Sequence, residues 1–175
     1  MLNLLAGLLT PSEGTVFLDE RELYHLSDTE RSRLRNRMIG VIPQGQTALQ
    51  NLTVLENVLL PCALYPDGDG SLGRARELLE QVGISHLASA MPASLSGGEL
   101  RRMAVARSLV RQPEVIMADE PTSDLDGENT AAVISLLRQA ADRGASVLLV
   151  THELDILEHA DVVYHMENGT LKSSA

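Results

Sequence analysis

The sequence VIMADEP at positions 115–121 joins four apolar residues directly to two carboxylates. An apolar run of this kind, rich in β-branched side chains, is typical of a strand buried on both faces of a parallel sheet. Residues 146–150, SVLLV, have the same character. Between the two runs, residues 129–141 predict a helix. The segment therefore predicts a strand–helix–strand unit with parallel strands, and so an α/β fold.

Polar side chains follow both of these strands. Asp119 and Glu120 end the first one, at the edge where open α/β sheets bind their ligands. Ionised carboxylates there need a partner or a cation such as Mg²⁺, although an acid that caps a following helix would give the same pattern. His152 follows the second strand in the same way, and it is the one histidine of five to do so. We therefore expect His152 beside the two acids.

A further candidate site is the sequence LSGGE at positions 95–99, which precedes a helical run. Glycines expose backbone N–H groups where a helix begins, and the helix dipole favours an anion there. Taken alone, Ser96-Gly97-Gly98 favours a flexible helix cap over a phosphate site. The acids downstream, Asp119 and Glu120, strengthen the case for phosphate.

Composition narrows the class of protein. A chain of 175 residues with 44% hydrophobic content suits one domain. Its formal charge of −10 argues against nucleic-acid binding. The single cysteine, Cys62, cannot form an internal disulfide, which suits a reducing cytoplasm, and we interpret it as a small apolar residue. The longest apolar stretches, 1–9 and 52–65, are too short or too interrupted to span a membrane.

The rest of the pattern predicts further helices and strands. The predicted helices are 1–9, 31–37, 74–82 and 100–111, together with the part of 52–65 that precedes Pro61. The predicted strands are 15–18, 39–42 and 161–166. Asn168-Gly169 predicts a hairpin turn that leads into residues 170–172. Residues 66–73 contain three glycines but neither a lysine nor a neighbouring apolar strand. They predict an exposed linker and not a phosphate-binding loop.

Five short motifs follow one another in the order found in ATP-binding-cassette (ABC) ATPases. They resemble the Q-loop at Gln44, the signature at 95–99, Walker B at 115–120, the D-loop at 123–126 and the H-loop at His152. The resemblance covers essentially the whole chain. Residues 26–37, 52–58 and 118–122 look most like the lipoprotein-release and macrolide-export type of ATPase subunit.

This resemblance implies a P-loop-NTPase-like α/β fold with a parallel sheet core. A single domain would include a helical signature subdomain at about residues 45–112. The cofactors would be ATP and Mg²⁺, with two ATP molecules held between two subunits paired head to tail. By this resemblance Glu120 would be the general base and His152 would contact the γ-phosphate. Asp119 would hold Mg²⁺ through water, and Gln44 would belong to the Mg²⁺ shell. The residues that would contact the ATP of the opposite subunit are Ser96, Gly97, Gly98 and Glu99, and Asp126 would communicate across the pair.

The resemblance also implies partners and a location. The chain would act at the cytoplasmic face of the inner membrane, bound peripherally to a transmembrane permease subunit, and would energise substrate export or lipoprotein release. Its ATPase partner would be a second copy or a sibling subunit. Residues 46–64 are our candidate docking face for the permease, although their Leu and Val residues would equally serve to pack the helical subdomain.

One departure concerns phosphate binding. ABC ATPases carry a Gly-rich loop ending in Gly-Lys-Ser/Thr, whereas the single lysine of these residues is Lys172. We expect a partial cassette without the N-terminal strands and phosphate loop, which would remove a strand flanking 115–118 and leave little ATPase activity in the chain alone. Leu100 also stands where Gln is commoner.

Two other functions remain open. The first is an inactive cassette that acts only as a binding partner, against which the retained Glu120 and His152 count. The second is an ABC-type ATPase without a membrane partner, against which the lack of long coiled coils or a second cassette counts.

Overall fold

The computed structural model of the protein describes residues 1–45, 47–66 and 71–173. Gln46 of the expected docking face and residues 67–70 of the expected linker lie outside them. The helices are α1 Leu2–Leu5, α2 Asp28–Met38, α3 Val54–Leu64, α4 Ser71–Gln81, α5 Gly97–Leu109 and α6 Gly127–Asp142. The strands are β1 Phe17–Leu18, β2 Arg21–Glu22, β3 Ile39–Ile42, β4 Val115–Asp119, β5 Ser146–Val150, β6 Tyr164–Glu167 and β7 Thr170–Ser173.

The central sheet contains β3, β4 and β5 in that order, all parallel. Helix α6 makes the crossover from β4 to β5, which confirms the predicted strand–helix–strand unit. Ile42 pairs with Ala118, and Asp119 pairs with Val150. The carboxyl ends of the three strands therefore meet at one edge, and the segments that carry the candidate site residues leave from that edge.

The strands that neighbour β4 in the sheet differ from those expected. We expected 115–118 to lack a neighbouring strand, but β4 has β3 on one side and β5 on the other, so that expectation is wrong. The chain returns through α6 to the side of β4 opposite β3. Among the described residues β5 is thus an edge strand, and Val147, Leu148 and Leu149 are only partly buried where full burial was expected.

The N-terminal helix is shorter than its apolar pattern suggested. Helix α1 ends at Leu5, because Gly7 adopts a φ of +65° that no α-helix continues. Leu8 and Leu9 then turn outward and are 52% and 56% exposed. The expected buried helix over residues 1–9 is therefore a single turn followed by an exposed end.

Capping explains why two helices begin three residues earlier than their apolar spacing indicates. At α2 the side chains of Ser27 and Glu30 each bind the other's backbone N–H, and Ser96 and Glu99 do the same at α5. Such a capping box satisfies two of the amide donors that a helix start leaves open. Both helices accordingly begin directly after the capping serine.

Helix α3 continues past Pro61, where we expected it to end. Proline removes the backbone donor to the carbonyl four residues earlier, but the residues after Pro61 keep their own N–H groups and can continue the helix. The carbonyl of Pro61 accepts a hydrogen bond from Nδ2 of Asn36 at 3.0 Å. That contact satisfies a group at the helix end and allows the final turn to form.

The predicted C-terminal hairpin is confirmed. Strands β6 and β7 are antiparallel, and Asn168 and Gly169 both have positive φ, 51° and 78°, as a type I′ turn requires. Strand β6 begins at Tyr164 and not at Asp161. Asp161 instead receives two hydrogen bonds from Nη1 of Arg138, at 3.0 and 2.9 Å, which holds it against α6.

Two aliphatic clusters cover the two faces of the sheet. Ile116 belongs to a cluster that includes residues of α3, α4, α5 and α6, whereas Met117 belongs to a cluster with Leu2, Leu23 and Leu34. Successive side chains of a strand point to opposite faces, so β4 is buried on both, as expected. Within the described ranges, no helix has both the length and the apolar character to cross a membrane.

Candidate functional site

One of the two acids predicted at the sheet edge, Glu120, contacts the predicted histidine. Nδ1 of His152 lies 2.7 Å from Oε1 of Glu120. The other carboxylate oxygen, Oε2, accepts a hydrogen bond from Oγ1 of Thr151 at 3.2 Å. Glu120 is 8% exposed, whereas the His152 side chain is 80% exposed. The pair thus joins a buried carboxylate to a ring that remains open to a ligand.

The backbone of Glu120 is held in an uncommon conformation. Its φ is +49°, which a residue other than glycine rarely adopts. The N–H of Glu120 donates to the carbonyl of Val150 at 2.9 Å, which continues the β4–β5 pairing by one bond beyond the strand. Such outliers persist where the surrounding structure fixes them, and they cluster at functional sites.

The carboxylate changes the chemistry of the ring. The hydrogen bond to Glu120, followed by the attraction of its charge, raises the pKa of His152 above the usual 6.5. Glu153 adds a smaller effect in the same direction. His152 is therefore protonated over a wider pH range than a free histidine, and as a cation it can donate to an anionic ligand from its exposed side.

Asp119 is a half-buried carboxylate at the end of β4. Among the described residues its side chain makes no hydrogen bond or ion pair. A partly buried carboxylate without a protein partner is the donor that a hard cation such as Mg²⁺ takes. No group of three or more metal-binding side chains gathers in the described ranges, but Mg²⁺ usually needs only one or two protein carboxylates.

Gln44 lies two residues beyond β3, at the same edge, and is exposed. Its backbone carbonyl accepts a hydrogen bond from Nη2 of Arg101 at 2.6 Å, and the same nitrogen donates to Oγ of Ser123 at 2.8 Å. No hydrogen bond or ion pair in the described part of the chain joins Gln44 to Asp119. The structure thus places Gln44 at the predicted edge and ties its backbone to α5.

The signature residues form the start of α5. Oγ of Ser96 accepts from the N–H of Glu99 at 3.3 Å, and the Glu99 carboxylate accepts from the N–H and the hydroxyl of Ser96 at 2.7 and 2.8 Å. The backbone bond to Ser96, followed by the side-chain bond, lowers the pKa of Glu99. Gly97 and Gly98, the first two helical residues, have no acceptor within the helix for their N–H groups. Those two amides are left for an anion.

Gly98 also packs tightly against the segment that follows Glu120. A Cβ at this position would lie 3.2 Å from Cδ2 of Leu125 and 3.3 Å from the carbonyl oxygen of Asp124. The predicted signature and D-loop therefore touch each other within one chain. No hydrogen bond or ion pair among the described residues joins Ser96, Gly97 or Gly98 to Glu120.

Asp126 has a structural partner. Its Oδ1 accepts from the N–H and from Nδ2 of Asn129, both at 2.9 Å, and Oδ2 also accepts from Nδ2 at 2.9 Å. The backbone bond from Asn129, then the side-chain bond, lowers the pKa of Asp126. Nη1 of Arg102 donates to Oδ1 of Asn129 at 2.6 Å. Asp126 thus caps α6 and is linked through Asn129 to α5.

The sequence did not identify three side chains of this edge. Thr151 directly precedes His152, so its place at the strand end was the available signal. Ser123 begins the predicted D-loop, which was its signal, but no role was assigned to it. Arg101 had no such signal, because it meets Ser123 across 22 positions and Gln44 across 57. Contacts of that separation follow from the packing of α5 on the sheet and not from a local pattern.

The chain matches a known family and named relatives. Residues 1–123 match the family model described as "ABC transporter". The lipoprotein-releasing system ATP-binding protein LolD of Saccharophagus degradans is 38% identical over 173 residues, which cover 98% of this chain and 76% of LolD. LolD of Xanthomonas campestris pv. campestris is 40% identical over 178 residues, covering 100% of this chain and 74% of its own length.

Solved structures have the same fold. A dimer of the ATP-binding cassette MJ0796 in a post-hydrolysis state, bound to ADP and Pi, superposes with a TM-score of 0.90 at 30% identity. The match covers 98% of this chain and 78% of that one. A second dimeric MJ0796 structure, described as a bacterial ABC transporter cassette, gives a TM-score of 0.91 at 32% identity over 98% and 76% of the two chains.

Proposed function

Because this chain belongs to the ABC transporter family of ATP-binding proteins, we propose that it hydrolyses ATP to drive lipoprotein release or substrate export through a membrane permease. The observation that carries the proposal is the pairing of Glu120 with His152 at the carboxyl edge of a parallel sheet. Such edges are where open α/β sheets bind their ligands. The named relatives support lipoprotein release as the transport process.

Glu120 is the general base of the proposed reaction. Its carboxylate would accept a proton from the attacking water, and the 2.7 Å contact with His152 orients Oε1 at the open side of the site. His152 would donate to the γ-phosphate from its exposed side. Thr151 fixes the second carboxylate oxygen and so limits the carboxylate to one orientation.

The donors present fit a magnesium ion. The carboxylate of Asp119, which has no partner among the described residues, and the exposed amide of Gln44 would hold it, in part through water. When bound, the ion would neutralise charge that develops on the phosphate oxygens. The protein contributes the position of these oxygen ligands at the edge that also carries Glu120.

We assign the first turn of α5 to a second nucleotide. The free N–H groups of Gly97 and Gly98 suit a phosphate oxygen, with Ser96 and Glu99 at the same turn. Since no bond joins this turn to Glu120 in the described chain, the phosphate that it binds would belong to an opposing subunit's ATP. The dimeric state of the MJ0796 cassettes supports this arrangement, in which Asp126 would lie at the contact between the two copies.

The permease is the proposed partner outside the ATPase pair. The chain would bind it from the cytoplasmic face of the inner membrane, without contact to nucleic acid. Within one domain, residues 45–112 would form the helical signature subdomain, and residues 47–64 the docking face. In support, α3 includes half-buried Leu55 and Leu59 that border the main core cluster, so a surface of modest apolar character remains there.

One observation favours the alternative of a cassette that only binds its partners. Phosphate sites of this family use a lysine, and the single lysine in these 175 residues is bound elsewhere. Nζ of Lys172 contacts Oε2 of Glu167 at 2.6 Å within the exposed C-terminal hairpin. For these residues taken alone, we therefore expect little ATP turnover.

The test compares ATP hydrolysis by the chain purified with its permease and by residues 1–175 alone. We expect the complete complex to hydrolyse ATP with Mg²⁺. Glu120→Gln should lower kcat by about 100-fold or more while ATP still binds, because removal of a general base costs about 10²–10⁴ in rate. Asp161→Asn, which changes a carboxylate outside the site, is the matched control. Turnover that is insensitive to Glu120→Gln would contradict the role of Glu120, and a complex without ATP turnover would leave the binding-only function.

A further inference from the structure

The guanidinium of Arg101 joins three segments that are far apart in the sequence. Nη1 donates to the carbonyl of Pro43 at 2.7 Å, and Nη2 donates to the carbonyl of Gln44 at 2.6 Å and to Oγ of Ser123 at 2.8 Å. The first two acceptors lie just beyond β3. The third lies in the turn that follows Glu120. One side chain of α5 therefore holds both turns at the ligand edge of the sheet.

Ser123 carries this link to Glu120. Its hydroxyl accepts from Arg101 and donates to the carbonyl of Glu120 at 3.0 Å, and its N–H donates to the same carbonyl at 3.3 Å. A hydroxyl can serve both roles, since it has one donor and two lone pairs. The positive φ of Glu120 makes its orientation depend on such outside contacts.

We propose that Arg101 is a positioning residue for ATP hydrolysis, which fixes the Gln44 turn relative to the general base Glu120. The inference rests on the proposed function. Among the described residues Arg101 makes no hydrogen bond or ion pair with Glu120, His152 or Asp119, so it acts through the two turns. Misplacement of a catalytic group by about 1 Å is enough to slow a reaction about 100-fold, and Arg101 controls this spacing.

The geometry requires arginine and not merely a positive charge. The acceptors approach two nitrogens of one planar group, and all three are uncharged oxygens. Lysine keeps the charge but presents a single nitrogen on a flexible stem, so it cannot hold three acceptors on two separate segments with the same fixed spacing. Arg101→Lys therefore separates positioning from charge.

The experiment measures kcat, KM for ATP and Tm of the complete complex for Arg101→Lys, Ser123→Ala and the double variant. Arg76→Lys, an exposed arginine of α4, is the matched control with unchanged activity. We expect Arg101→Lys to lower kcat about tenfold with KM within about twofold, and Ser123→Ala to lower kcat about threefold. The double variant should be no slower than Arg101→Lys, because contacts in one network are not additive.

Two results would overturn the inference. The first is a kcat within about twofold of the wild type for both single variants, and the second is a double variant whose loss is the product of the single losses. If Arg101→Lys does not fold, the kcat of the milder Ser123→Ala decides alone. Glu120→Gln in the same complex separates the two proposals: if it is also fully active, the proposed function fails, and if it is inactive, only the role of Arg101 fails.

Discussion

Nδ1 of His152 lies 2.7 Å from Oε1 of Glu120, although 32 positions separate the two residues in the chain. The contact joins the turns that follow β4 and β5. It brings a buried carboxylate to an exposed imidazole, and the carboxylate raises the pKa of His152. The titration of His152 therefore reports directly on the geometry of the site.

We first predict that Glu120→Gln lowers the pKa of His152 toward 6.5. The carboxylate raises this pKa in the folded chain, so protonated His152 stabilises the fold. That contribution is complete below pH 6.5 and is lost as the pH rises through the raised pKa. A ¹H NMR titration of the ring measures the change, with Glu114→Gln, an exposed carboxylate outside the site, as the control. An unchanged titration in Glu120→Gln would show that the pair does not form.

A second prediction concerns Asn57, which is fully buried. Its Nδ2 donates to the carbonyls of Leu49, Leu52 and Thr53, each at 3.0 Å, and its Oδ1 accepts from the N–H of Leu49 at 2.8 Å. Asn57→Ala should lower the free energy of unfolding by about 1–3 kcal/mol, because it leaves the part-buried backbone groups of residues 49–53 without their partner.

Urea unfolding measures this loss. The matched control is Asn51→Ala, an exposed asparagine of the preceding segment, which we expect to change stability by less than about 0.5 kcal/mol. Equal effects of the two variants would contradict the role of Asn57 as the residue that orders residues 49–53.

A third prediction concerns the approach of β3 to the end of α5. A Cβ at Gly40 would lie 2.6 Å from the carbonyl oxygen of Ser108 and 2.9 Å from Cγ of Pro113. Gly40→Ala should destabilise the protein by about 1–3 kcal/mol, as overpacking does elsewhere. Gly127→Ala is the control, because that position is helical and a Cβ there meets no other atom within 4 Å. Thermal unfolding should show that the stability of this variant is unchanged or slightly increased.

A fourth prediction compares the two signature glycines. A Cβ at Gly97 meets nothing within 4 Å, whereas one at Gly98 presses on Asp124 and Leu125. Both variants gain helix propensity, but only Gly98→Ala must displace the neighbouring turn. Its free energy of unfolding should be lower than that of Gly97→Ala by about 1–2 kcal/mol.

The displacement is visible in a second measurement. Amide chemical shifts of Asp124 and Leu125 should move in Gly98→Ala and not in Gly97→Ala. Identical spectra of this turn in the two variants would rule out the close packing of α5 on the segment after Glu120.

The sequence predicted β3 and β5 to the residue, because each is a short apolar run with a sharp polar or proline boundary. It also placed His152 beside Glu120, since the carboxyl ends of parallel strands meet at one edge. Where apolar residues were the only signal, as in residues 1–9, the predicted helix was longer than the observed one. Apolar spacing does not show that Gly7 adopts positive φ.

Local sequence patterns did not predict the full order of the strands in the sheet or the contacts of the arginines. The pairing of β3 with the other side of β4 joins residues 76 positions apart, and no local pattern of either strand encodes it. Arg101 and Arg102 are adjacent and chemically identical, yet the first binds the Gln44 turn and the second binds Asn129. Their directions follow from the helical turn of α5 on the sheet, which the sequence leaves undetermined.

The parallel pairing of β3 with β4 joins two strands that the ribosome synthesises at different times. Ile39 pairs with Val115, which is made 76 positions later. At about 5–20 residues per second, roughly 4–15 s pass before β3 can meet its partner. The nascent chain therefore exposes the unpaired apolar strand β3 for seconds. Chaperones that bind unpaired strands can bind it during that interval.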